Sequence, residues 1–131
     1  MVKNRVIVAL DFDQAKSALA IVDALGASAD FYKVGLQLLT TAGPELIQIL
    51  VNRGKHLFVD LKSLEIPHSV AGAVDSAGRL GASMVTVHAF GGRNVLEAAV
   101  KAARPYPHSH KAKAQKRGNC VPLHSLASIN N

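Results

Sequence analysis

Two rhythms of apolar residues alternate along the chain. Short runs of aliphatic and β-branched residues, Val6–Leu10, Phe31–Gly35, Leu57–Lys62 and Met84–His88, read as strands buried on both faces. Between them apolar residues return every three or four positions and line one face of a helix. Ala15, Ala18, Leu19, Val22 and Leu25 form the first stripe, with Asp13 as the expected N-cap and Gly26 as the stop. Leu46, Ile49 and Leu50 form the second, opened by Gly43-Pro44 and ended by Gly54. Pro67 starts the third, which carries Val70, Ala73, Val74 and Ala77 and ends at Gly81. After the Gly91-Gly92 turn, Leu96, Ala99, Val100 and Ala103 make the fourth, stopped by Pro105.

Strand-helix units in unbroken succession predict an α/β fold with a parallel sheet and right-handed crossovers. A doubly wound sheet would place a glycine-rich phosphate loop after its first strand, but Asp11-Phe12-Asp13-Gln14 stands there, without glycine. A TIM-type (β/α) barrel puts functional side chains at the C-terminal ends of its strands, where Asp11, Lys33, Asp60, Lys62 and His88 fall. The expected architecture is a half-barrel, the first four βα units over residues 1–103, with a separate tail over 104–131.

Charge separates these two regions. Residues 1–103 hold 10 Lys and Arg against all 9 acids, whereas residues 104–131 hold 5 basic residues and no acid. The tail lacks periodicity, contains three prolines, and is expected to be disordered. An abrupt change where a fifth strand should begin is what a truncated chain, or one read out of frame, would show. Its basic cluster with the single Tyr106 is a weak nucleic-acid signal, and a solvated tail explains it better. Cys120 is the only cysteine, which excludes an internal disulfide and suits a reducing compartment, so a cytoplasmic protein is expected. The apolar stretch before Asp11 is too short for a signal peptide, and nothing approaches the roughly 20 apolar residues of a membrane span.

The chemistry concentrates in Asp60 to Ser69, D-L-K-S-L-E-I-P-H-S. Asp60 and Lys62 stand two apart in a strand and so share a face, although charge is expensive in a buried strand. Lys33 ends a neighbouring strand, Asp11 the one beyond, and Glu65 follows three residues after Lys62. Alternating signs keep each group charged despite partial burial, and such an array can hold a lysine protonated as a ready acid. The competing reading is a structural ion-pair network; charges at the ends of several parallel strands favour a site. His88 reads as a packing or hydrogen-bonding residue, His56 and His68 as surface residues, and Gly91-Gly92 as a plain turn. The six histidines and one cysteine show no metal-ligand spacing.

V-A-L-D at Val8 to Asp11, K-V-G at Lys33 to Gly35, D-L-K-x-x-E-I-P-x-S at Asp60 to Ser69, and V-T-V-H-A at Val85 to Ala89 together resemble the orotidine 5'-phosphate decarboxylase family. The resemblance covers roughly residues 3–103 and leaves the tail unmatched. It implies a lyase of pyrimidine biosynthesis that converts orotidine 5'-phosphate to uridine 5'-phosphate. Asp11 would then bind the ribose hydroxyls, Lys33 and Asp60 would begin the charge network, and Lys62 would donate the proton. Glu65 would fill the fourth place, usually Asp, which reaches the neighbouring subunit's site. Ile66 and Ser69 complete the implied substrate-binding set, Ser69 keeping the hydroxyl of a common Thr. The family works as a homodimer with a shared site and no metal or organic cofactor, on a small-molecule nucleotide rather than a nucleic acid or a membrane. Related sugar-phosphate decarboxylases and hexulose-phosphate synthases share D-x-K-x-x-D but use a metal and usually have an acid where Lys33 stands. Family phosphate loops follow the seventh and eighth strands, so impaired turnover is expected of the chain alone; a second reading is an inactive half-barrel that acts only by self-association.

Overall fold

A computed structural model describes residues 6–61, 66–88, 91–106 and 120–122. Strands β1 (Val8–Ala9), β2 (Phe31–Gly35), β3 (His56–Asp60) and β4 (Met84–Thr86) lie side by side in chain order, all parallel. Helices α1 (Ala15–Leu25), α2 (Leu36–Asn52), α3 (Pro67–Arg79) and α4 (Arg93–Ala103) alternate with them, as the two apolar rhythms require. This is a partial TIM-barrel-like α/β fold. None of the described helices is long and apolar enough to cross a membrane.

One face of the sheet packs on the helices. Leu10, Tyr32, Val34, Leu57, Val59, Val85 and Val87 point there and meet Val22, Leu46, Ile47, Leu50, Val74 and Ala99 in one apolar core. Burying each of the larger aliphatic side chains contributes about 1.5–3 kcal/mol. Tyr32 is fully buried yet satisfied, since its hydroxyl donates to the Ala29 carbonyl at 3.2 Å. Burial, and behind it the charge of Asp30, pushes its phenol above the ordinary value.

Several element ends differ from the sequence expectation. The first strand spans Val8–Ala9 rather than Val6–Leu10, and Val6 and Ile7 are exposed. Among the described residues it lies at the sheet edge and pairs with β2 on one side. Gln14, not Asp13, is the N-cap of α1, and its side chain makes no capping bond. The third and fourth strands stop at Asp60 and Thr86, before the expected Lys62 and His88.

Helix α2 begins seven residues before the expected Gly43-Pro44 start, because two helical segments join there. Pro44 cannot continue the first segment's ladder, and Gly43 takes up the break with φ 68° and ψ −177°. Thr40 and Thr41 donate their hydroxyls back to the Leu36 and Gln37 carbonyls, which ties the short first segment together.

The tail needs a correction at one place. Cys120–Pro122 form a fifth strand, β5, antiparallel to β4 with Thr86 opposite Cys120 and Met84 opposite Pro122. The edge of β4 offers unpaired backbone groups, and any short extended segment that reaches it gains a ladder. Three residues are too few to show a period of two, which is why the sequence did not reveal them.

Helix α3 packs on α4, and Tyr106, just past α4, closes the pair from outside. Its hydroxyl donates to Asp75 Oδ1 at 2.6 Å, Arg79 pairs with the same carboxylate, and its ring lies against Gly78 where a Cβ would stand. The Tyr106 hydrogen bond, and then Arg79, hold the Asp75 carboxyl below its usual range, and the bond to Asp75 pushes the Tyr106 phenol up.

Candidate active site

The strand register builds the site. Ala9, Lys33, Phe58 and Met84 stand opposite one another across β1 to β4 and form one row. Residues two further along point to the same face. That next row contains Asp11, Gly35, Asp60 and Thr86, with Gly35 paired to Asp60, and the Leu10 amide donating to the Lys33 carbonyl at 2.9 Å carries the pairing past Ala9. All lie on the face away from the helices, at the C-terminal ends of the strands.

Lys33 starts one row lower and its long side chain rises into the upper one. Gly35 has no side chain to occupy the place between Asp11 and Asp60, so the Lys33 ammonium settles toward both, 3.8 Å from Asp11 Oδ1 and 3.7 Å from Asp60 Oδ2. Both distances exceed the roughly 2.7–2.9 Å of a charge-assisted hydrogen bond. The ammonium is held by charge on two sides, and its N–H groups can donate hydrogen bonds to an incoming hydroxyl or carboxylate.

Exposure grades across the row. The Asp60 side chain is 7% exposed, Lys33 24% and Asp11 74%. A carboxylate as covered as Asp60 needs compensation. Lys33 supplies charge on one side, and Thr86 Oγ1 donates a hydrogen bond to Asp60 Oδ1 at 2.5 Å on the other. The group can bind polar hydroxyls at its exposed Asp11 end and present fixed charge at its buried Asp60 end.

Among the described residues, no three His, Cys, Asp or Glu side chains gather as a metal site; between Asp11 and Asp60 the cation is the Lys33 ammonium. The model of the orotidine 5'-phosphate decarboxylase / HUMPS family matches residues 4–120. The chain belongs to this family. Among curated orotidine 5'-phosphate decarboxylases, that of Nostoc sp. is 44% identical over 102 residues, covering 78% of this chain and 42% of the relative. That of Alkalilimnicola ehrlichii is 46% identical over 102 residues, covering 78% and 43%. A crystal structure of orotidine 5'-phosphate decarboxylase from Lactobacillus acidophilus superposes with a TM-score of 0.71 at 34% identity, covering 83% of this chain and 50% of the other. A conserved protein from Geobacillus kaustophilus, described as uncharacterized, gives 0.72 at 34% identity, covering 82% and 50%. The chain spans about half the length of the relatives it matches or less.

Family membership gives the remaining positions their context. Lys62 and Glu65, expected to extend the array, lie outside the described residues. Ile66 is the N-cap of α3 and 65% exposed, and Ser69 is exposed in the first turn of that helix. Of the expected set, the fold brings Asp11, Lys33 and Asp60 together. Thr86 was given no role by the sequence, although it is the polar member of V-T-V-H and shares the strand face of His88.

Two histidine expectations change in detail. His56 is half-buried, its ring 5.8 Å from that of Phe31, because it opens β3 on the face shared with Phe58 rather than lying at the surface. His88 is half-buried, and its Nε2 is covered and has no hydrogen-bond partner among the described residues. It lines a cavity of about 10 Å³ with Leu61, Val70, Val74 and Thr86, between the strand ends and α3.

Proposed function

We propose that the chain carries one half of an orotidine 5'-phosphate decarboxylase site, acting on a nucleotide to release carbon dioxide and form uridine 5'-phosphate. The carrying observation is the Lys33 ammonium between Asp11 and Asp60 at the strand ends. In this reading Asp11, the most exposed member, binds the ribose hydroxyls. Lys33 bridges sugar and charge array. Asp60 stands beside the reacting carboxylate and holds the next ammonium, that of Lys62.

The chemistry calls for these residue types. Loss of carbon dioxide from C6 of the pyrimidine leaves an electron pair in the ring plane, and no neighbouring group delocalises it. A fixed ammonium stabilises that charge as it develops and then delivers its proton to the carbon. Lys62 has this role, Glu65 supplies the fourth charge from a second subunit, and Ile66 and Ser69 belong to the substrate-binding set. No nucleophile, metal or organic cofactor takes part. Phosphate contacts remote from C6 contribute binding energy to the reacting centre. Expressed alone, the 131-residue chain is therefore expected to turn over slowly.

Calorimetry with uridine 5'-phosphate and release of labelled carbon dioxide from orotidine 5'-phosphate test this reading. Binding that disappears in Lys33→Ala and Asp60→Ala supports it. A wild-type chain that binds no nucleotide overturns it.

A second reading, self-association without catalysis, draws on Leu36 and Ile66, which are 58% and 65% exposed at the starts of α2 and α3, beside the strand ends. Sedimentation separates the two. A dimer strengthened by nucleotide favours the enzyme, and assembly indifferent to nucleotide favours association alone.

A further inference from the structure

We infer that Thr86 is a positioning residue of the site, and that its hydroxyl sets the direction in which Asp60 presents its carboxylate. Thr86 ends β4 in the row that contains Asp60, on the adjacent strand. A threonine hydroxyl has one proton to give. Thr86 gives it to Asp60 Oδ1 at 2.5 Å, short for an O–H···O bond and in the range of a charged acceptor. The other oxygen, Oδ2, faces Lys33 at 3.7 Å.

This division of labour has a steric basis. A carboxylate turns easily about its last side-chain bond, where the energy surface is broad and roughly two-fold. The Lys33 contact is too long to stop that rotation. The Thr86 bond is short and directional, and it is anchored on a β-branched side chain whose own first torsion is stiff. Thr86 thus anchors Asp60 Oδ1 from the β4 side, while Lys33 faces Oδ2 from the β2 side.

Thr86→Val keeps the shape of the side chain and removes the hydroxyl, while Thr86→Ser keeps the hydroxyl. The readout is competitive acylation of the intact chain followed by mass spectrometry, with the exposed Lys101 on α4 as internal reference for Lys33. In Thr86→Val the Asp60 carboxylate loses this anchor and is drawn toward the Lys33 ammonium, so Lys33 is expected to react about three to ten times more slowly relative to Lys101. Thr86→Ser should restore the wild-type ratio. Thermal melts confirm that the variants are folded, and Thr86→Ala serves if the valine variant is not.

A valine variant with the wild-type Lys33 ratio overturns the inference, as does a serine variant that behaves like valine. A nucleotide arm rests on the proposed reading of the site: uridine 5'-phosphate should bind about tenfold more weakly to Thr86→Val and unchanged to Thr86→Ser. If the wild-type chain binds no nucleotide, the decarboxylase reading fails and the Lys33 ratio alone decides the role of Thr86.

Discussion

Two carboxylates among the described residues each have a cation and a hydroxyl beside them, and they differ in how closely the cation stands. At Asp75 on α3 the cation is Arg79 one helical turn away and the hydroxyl is that of Tyr106, both in direct contact. At Asp60 the hydroxyl of Thr86 is in contact, but the Lys33 ammonium is held 3.7 Å off. The Asp75 group satisfies itself and clasps α3 to the end of α4. The Asp60 group is covered and charged, and the Lys33 ammonium beside it is shared with Asp11. Residue types alone do not distinguish a structural ion-pair network from a binding site. What differs is the spacing and the place: Arg79 is in direct contact with Asp75 on a helix, whereas the Lys33 ammonium stands 3.7 Å from Asp60 and is shared with Asp11 at the strand ends.

The largest effect that separates the two regions should come from Asp60→Ala. It removes a covered carboxylate between two partners, and nucleotide binding should weaken about a hundredfold or more, while the melting temperature moves less than in a core variant such as Leu50→Ala. Leu50→Ala itself should cost about 2–5 kcal/mol in denaturant unfolding. If Asp75→Asn weakened nucleotide binding as much as Asp60→Ala, the distinction between site and clasp would collapse.

Gly78→Ala tests the clasp next. A methyl group there runs into the Tyr106 ring, and overpacking should destabilise the chain by about 1–3 kcal/mol, partly offset by the better helix propensity of alanine. Thermal unfolding should shift downward while the Lys33 acylation ratio stays at the wild-type value.

The smallest effect is a pH dependence of the clasp. Asp75 is held below its ordinary value, so its contribution is present above the unfolded carboxyl value of about 3.9 and disappears as pH falls through the lowered one. Tyr106 is raised, so its contribution is present below about 10 and disappears as pH climbs through the raised value. The difference in melting temperature between wild type and Tyr106→Phe should be constant between those limits and shrink at both ends. A difference that does not change with pH would remove the charged hydrogen bond from the account of the clasp.

Much of the fold was legible from neighbouring residues. The alternation of strands and helices, the face shared by alternate residues and the charged strand ends all follow from spacing within a few positions, since strand and helix periods are local. Family motifs were legible for the same reason, and they pointed to Asp11, Lys33 and Asp60 before any contact was known. Element ends were less legible. The first turns of α2 lie ahead of a proline that reads as a start, and β5 is three residues long in a tail without periodicity.

What only tertiary structure decided is which of these residues meet. Thr86 reaches Asp60 across 26 positions, and Tyr106 reaches Asp75 across 31. Lys33 finds its place between two carboxylates because the parallel register sets Gly35 beside Asp60 and Lys33 one row below. Register is fixed by hydrogen bonds between segments far apart in the chain and by the helices that cover one face of the sheet. Local sequence thus determined which groups stand at the strand ends and on which face. The distances that put Arg79 in contact with Asp75 and hold Lys33 3.7 Å from Asp60 came from packing those strands and helices together.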